Sequence, residues 1–350
     1  DHLVLSAWQL GVSLTQKSEL ERLRAVLSPL STDIRIIAHV DAQTPLLARH
    51  YAAQVAEGRG RNLNQECALA GTQDWWAESL ATQPPIDPLA GQFAETQGAP
   101  FWLDYTRLVA HWEGVFGNGS MQLRPYDAAL FYGAKAASEV TAMLGLDVDL
   151  GDVDAAPIPP PVPAATVARM RQMNALLLRL LAQRAHILPR PLWRSFLSEL
   201  AVPGPPIHAG SLAHVAAHFA ENNAKMVKAH PALSDDLFKA LPAQPSWTEA
   251  DPAYGFRASQ YLLGFMWRLE KATRQARRKR GVIPAPNEDH PQSQTPKTRV
   301  PSPLSPAARA LLPAQAIKNF HKLQGSPFAP HNRLGQIDEA QRAPDYTAAA

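Results

Sequence analysis

Apolar positions recur along the chain with two periods, and the switch between them outlines the first third. Ile34, Ile36, Ile37 and Val40 form a short β-branched run, which predicts a buried strand. Thr44 then reads as an N-cap, with Pro45 at the first helical position, where a missing N–H costs nothing. Leu47, Tyr51 and Val55 follow at i, i+4 and i+8, the spacing of a core-facing helical stripe. Upstream, Leu3 to Ser6 reads as a strand. A helix over Ser18 to Leu30 carries Leu20, Leu23, Leu27 and Leu30, with Ser18 and Glu21 as a capping box. Strand, helix, strand, helix in that order predicts an α/β fold with a parallel sheet flanked by helices.

The pattern loosens between Gly58 and Pro100, where a short helix over Asn62 to Leu69 is expected and Gln83-Pro84-Pro85 and Asp87-Pro88 read as loop. Trp75 and Trp76 read as packing anchors over that loop; a sugar-lining pair is the alternative. Tyr105, Leu108, Trp112 and Phe116 predict one face of a helix over Phe101 to Phe116, stopped by Gly117. A strand over Met121 to Pro125 and a helix over Ala129 to Met143, stopped by Gly145, complete a domain spanning residues 1–150. Pro157, Pro159, Pro160, Pro161 and Pro163 make 151–165 a stiff polyproline connector. Residues 166–281 read as helical: Val167 to His186, Ser211 to His230, and Arg257 to Arg280, the last with Leu262, Phe265, Met266 and Leu269 on one side. Residues 282–350 are polar and Pro-rich and are expected to be disordered, apart from a helix over 306–323.

Composition adds exclusions. The net charge is +3 and the isoelectric point about 9.0, too mild a basicity to imply nucleic acid. The single cysteine, Cys67, excludes an intrachain disulfide and a Cys-rich zinc site. No apolar run is long enough to span a bilayer and no signal peptide is legible, so a cytoplasmic protein is expected. Since Leu3-Val4-Leu5 reads as a strand already under way, an earlier part of the protein is expected to be missing.

Candidate chemistry is sparse. His214 and His218 share a helix face near His208, but Val215 stands where a zinc-protease motif needs Glu, so a packed or solvated face is the reading and no metal is expected. Arg274, Arg277, Arg278, Lys279 and Arg280 form a basic helix end. It complements the helix dipole, or meets a phosphate, a sulfated glycan or an anionic lipid. Asn118-Gly119-Ser120 has the glycosylation pattern but sits where a tight turn is needed. Asp147-Val148-Asp149 has the letters of a glycosyltransferase metal pair but leads straight into the Pro-rich run. No Walker loop, G-x-G-x-x-G or G-x-S-x-G occurs.

Three segments together resemble the bacterial sulfotransferase-like family of P-loop-type α/β enzymes: LVLSAWQL, IRIIAHVDAQTPLLARHYAAQVAEG, and the block from Phe101 to Asp147. The third is similar to the family's ordered Tyr, Trp, Phe-Gly, Arg-x-Tyr and Leu-Gly positions. The resemblance covers Leu3 to Asp147. It implies a truncated sulfotransferase fold whose phosphosulfate loop precedes Asp1. It also implies transfer of a sulfuryl group from 3′-phosphoadenosine 5′-phosphosulfate to a glycan hydroxyl. It places the family's base at Trp8, which accepts no proton, and its 3′-phosphate site at Asp41, Thr44 and Arg49. Asp41 stands where the family has Arg, and Arg49 where it has Ser. A carboxylate there repels the donor, and Asp41 and Arg49 can instead pair with each other and close the site. Impaired catalysis is therefore the expectation. The alternative is a non-catalytic glycan- or protein-interaction module using the helical region and its basic end.

Overall fold

The computed structural model describes residues 3–85, 94–239, 241–242 and 244–279. The expected tail from 282, its helix at 306–323, the Asp87-Pro88 loop and Arg280 lie outside these. In chain order the helices are α1 (Trp8–Ser13) and α2 (Lys17–Leu27), then strand β1 (Ile36–Val40) and α3 (Gln43–Ala56). Next come α4 (Asn64–Leu69), α5 (Trp75–Ala81), α6 (Tyr105–Phe116) and strand β2 (Met121–Pro125). The rest is helical: α7 (Ala128–Phe131), α8 (Ala136–Leu144), α9 (Ala164–Ala182), α10 (Arg190–Ser198), α11 (Ala213–Ala229) and α12 (Ala258–Lys279). The fold is thus helix-rich around a small parallel sheet. Among the described residues the sheet has two strands, β1 and β2, paired in register from Ile36–Met121 to Val40–Pro125.

Several expectations need correction. Leu3 to Ser6 is not a strand: it pairs with neither β1 nor β2, and Leu3 and Leu5 are 68% and 58% exposed. The capping box of α2 sits two residues early, with Gln16 as N-cap and its backbone N–H donating to Glu19 at 2.8 Å. Thr44 is not the cap of α3. The helix starts at Gln43, Thr44 lies buried in its first turn, and Pro45 occupies the third position, where its missing N–H is still one the helix would leave unpaired. The helix expected over 129–143 breaks into α7 and α8 around Gly133, where a Cβ would lie 2.5 Å from the Ala129 carbonyl oxygen. Residues 101–103 form a separate 3₁₀ turn, and Asp104 caps α6 by accepting from the Arg107 N–H at 3.1 Å. Gly145 ends α8 in the left-handed region, φ 66°, as expected.

Helix α3 is the centre of the molecule. Leu47, Tyr51 and Val55 are all buried, in one apolar cluster with Met173 and Leu177 of α9, Trp193 and Phe196 of α10, Val215 and Phe219 of α11, and Phe265 and Leu269 of α12. The core is therefore continuous across the Pro-rich segment. A second cluster joins α6 to the sheet through Leu108, Trp112, Met121 and Leu123. Trp75 is buried, donating its indole N–H to the Pro100 carbonyl at 2.9 Å, and Trp76 packs edge-on to Phe101.

Polar side chains lock the C-terminal end of α3. The Asn174 amide donates to the Val55 and Arg59 carbonyls at 2.7 and 2.9 Å, while its oxygen accepts from the Trp193 indole at 2.8 Å. Arg59 and Glu66 are fully buried and paired at 2.7 Å. The Arg59 guanidinium also donates to Gln54 Oε1 at 2.6 Å and to the Arg61 and Asn62 carbonyls. It lies 5.0 Å from the Tyr51 ring centroid. Such a cation donates to a side-chain oxygen and two backbone carbonyls, acceptors that would otherwise lose their partner in the interior.

Candidate functional site

A cleft of about 1350 Å³ lies along the outward side of α3. Pro45, Ala53 and Ala56 of α3 line it. So do the run from Ile158 to Pro163, which with Leu197, Val202 and Ile207 supplies an apolar wall, and the rings of Trp102 and Tyr126. The connector expected as a mere spacer is thus the cleft's apolar wall, held by a bridge between Pro163 and Pro206 and by the Ala164 N–H donating to the Pro205 carbonyl at 2.8 Å.

Asp41 and Arg49 both face this cleft; Thr44 does not. Asp41 follows the last residue of β1 and precedes the N-cap of α3. One carboxylate oxygen accepts from the Ala42 N–H at 2.7 Å, and the other accepts from the Arg49 guanidinium at 2.5 Å. The Asp41 carbonyl accepts from the Tyr105 hydroxyl at 2.7 Å, and burial raises the Tyr105 pKa, so that hydroxyl stays protonated. Arg49 lies 6.0 Å from the Tyr126 ring centroid. The N-terminus of α3, where free N–H groups favour an anion, therefore already holds one: the chain's own carboxylate.

Other arginines in the cleft are countered in the same way. Arg194 meets Glu57 through two hydrogen bonds of 2.8 Å, and Arg190 pairs with Glu95. With Asp127, four carboxylates face three guanidinium groups among the described lining residues. His50 adds no charge near neutrality, because burial and the Arg59 guanidinium push its pKa down to about 3. The residues present do not fit the 3′-phosphate of the donor that the resemblance implies: the position is filled by a carboxylate, and the cleft has no net positive charge to offer. Trp8, the expected base position, begins α1, and its side chain lies outside the described residues.

Sequence reasoning missed Arg190, Arg194, Glu57 and Glu95. The signal available was two arginines at i, i+4 behind Pro189, where a helix start was not recognised. A second cluster stands on the sheet. Glu139 accepts from Arg124, in part at 3.0 Å, and from His39 at 2.9 Å. Those hydrogen bonds, Arg124's foremost, hold the Glu139 carboxyl below its usual range. Both Glu139 oxygens are engaged by Arg124, which makes this a clamp between β1, β2 and α8.

The remaining candidates resolve into packing and turns. His218 packs its ring against Trp75 and Phe219, and His208 accepts from the Gly210 N–H at 3.1 Å. Asp149 accepts from the Gly151 N–H at 2.8 Å within a turn, and Asn118-Gly119-Ser120 forms the turn between α6 and β2, with Gly119 at φ 75°. Arg274, Arg278 and Lys279 are exposed at the end of α12, while Arg277 donates to the Ala185 carbonyl at 2.7 Å. No helix among the described residues is long and apolar enough to cross a membrane. No family model, curated protein or solved structure matches the chain.

Proposed function

We propose that the chain is a sulfotransferase-like protein whose donor cleft has closed its own 3′-phosphate position, leaving sulfuryl transfer to a glycan hydroxyl impaired. One observation carries this reading: the Asp41 carboxylate sits at the N-terminus of α3 and is held there by Arg49 at 2.5 Å. The strand, turn and helix that bear it lie in the segment resembling the family's donor site, and they open on the cleft of about 1350 Å³. A phosphate approaching that turn meets a carboxylate, and the cation that could bind it is already engaged.

The magnitude follows from charge and exposure. Two unit charges about 4 Å apart interact by roughly 4 kcal/mol at an effective dielectric of 20, and by about 1 kcal/mol in water. The Asp41 and Arg49 side chains are 20% and 39% exposed, so the effective value lies nearer the lower figure. Removing the charge of Asp41 should then tighten an incoming phosphate by about 1–2 kcal/mol, or roughly 5- to 30-fold. Asp41→Asn is the cleanest change, because its amide oxygen can still accept from the Ala42 N–H. Calorimetry with adenosine 3′,5′-bisphosphate should show weak binding by the unaltered protein and tighter binding by Asp41→Asn. Equal affinities would remove the cleft from consideration as the donor site. Robust transfer from labelled donor to glycans by the unaltered chain would refute the impairment.

A further inference from the structure

The outward face of α12 carries a pattern that neither the core nor the cleft uses. Leu263 is 76% exposed and Trp267, one turn on, is 37% exposed. Lys271, Arg274 and Arg278 continue the line at spacings of four, three and four residues, and all three are exposed. At 100° per residue these five positions fall within a sector of about 80°. The opposite face is anchored: Phe265 and Leu269 are in the core, Thr273 accepts from the Ile187 N–H at 2.9 Å, and Arg268 pairs with Glu199 at 2.6 Å. The stripe is therefore presented by a fixed helix and contributes nothing to holding it in place.

We propose that this stripe docks the protein on an anionic lipid bilayer surface. Charge complementarity selects the occupant. Lys271, Arg274, Arg278 and Lys279 form no ion pair among the described residues, and Glu270 is the one acid on the helix. Cations that snorkel beside an apolar pair suit the boundary between headgroups and acyl chains. A sulfated glycan would use the cations but has no use for an exposed leucine. A nucleic acid would call for more than one stacking ring. The proposal is independent of the donor-cleft reading, because no residue of the stripe lines the cleft.

The test is co-sedimentation of the full chain with phosphatidylcholine vesicles, with and without about one-third phosphatidylserine. Binding is expected on the anionic vesicles only, and it should fall steeply between low and high salt. Leu263→Ser with Trp267→Ser should weaken it about tenfold, and Arg274→Glu with Arg278→Glu should abolish it. Circular dichroism should show the helix retained in both pairs, with only a modest fall in the thermal midpoint, because Leu263, Arg274 and Arg278 are exposed and Trp267 is partly so. Absence of vesicle binding by the unaltered chain overturns the proposal. So does binding that ignores both pairs of substitutions, or retention on heparin without any binding to vesicles. Should a double variant fail to fold, Arg278→Glu alone must still weaken vesicle binding.

Discussion

Replacing Glu66 strands a cation at the most enclosed point of the molecule. Glu66 and Arg59 are both fully buried, and the guanidinium also serves Gln54 and two backbone carbonyls beneath the Tyr51 ring. Glu66→Gln keeps the volume and one acceptor but leaves the positive charge uncompensated. Breaking a buried pair from one side costs about 3–5 kcal/mol, because the remaining charge keeps its desolvation penalty. In a chain of this size each kcal/mol moves the thermal midpoint by about 2–4 °C, so a drop of roughly 6–20 °C is expected. Urea titration followed by tryptophan fluorescence should show a lower midpoint with an unchanged slope, the mark of lost stability without a changed fold. Arg59→Met combined with Glu66→Leu should recover only part of the loss, since Gln54 and the two carbonyls would still lose their donor. A change below about 1 kcal/mol in Glu66→Gln would refute the idea that this pair locks the end of α3.

Three further outcomes follow. His50 is buried with its pKa pushed down to about 3, so the unfolded chain binds a proton that the folded chain refuses. The stability this represents is present above pH 6.5 and is lost as the pH falls toward 3, by an upper bound on the order of 5 kcal/mol; His50→Leu should flatten the pH dependence of the urea midpoint over that window. Gly133→Ala should destabilise by about 1–3 kcal/mol, because its methyl group would meet the Ala129 carbonyl oxygen at 2.5 Å, read by the same titration. Asn174→Ala should cost about 1–3 kcal/mol by leaving the Trp193 indole and the Val55 and Arg59 carbonyls without their buried partner, read as a lower thermal midpoint.

Elements whose periodicity was strong were legible from the chain alone: β1, the apolar stripe of α3, the face of α6, β2 and the glycine stop after α8. The misreadings have physical causes. Leu3 to Leu5 is a short apolar run like a buried strand's, but a strand needs a neighbour, and among the described residues the sheet puts none beside it. Helix α10 starts behind Pro189 and carries Pro191 in its first turn, a stretch to which the periodicity assigns no element, although Pro at the start of a helix is compatible with it. Arg59, set between Gly58 and Gly60, looks like a surface turn. Its burial depends on Glu66, Gln54 and Gly98, which periodicity does not connect. At the candidate site, the pairing of Asp41 with Arg49 could be proposed from their opposite charges on either side of the helix start, eight positions apart. The cleft could not, because its wall is made by Pro159 to Pro163 meeting residues some forty positions further on.

The placement of α3 also sets a timetable for synthesis. Its apolar stripe is made early, yet the helices that cover it, α9 and α11, end at Ala182 and Ala229. At about 5–20 residues per second, the stripe leaves the ribosome on the order of 6–25 s before α9 is complete, and longer before α11. During that interval Leu47, Tyr51 and Val55 have no permanent cover. The nascent chain is then a substrate for chaperones that hold apolar segments, and a slowed ribosome between α3 and α9 lengthens the period of greatest risk.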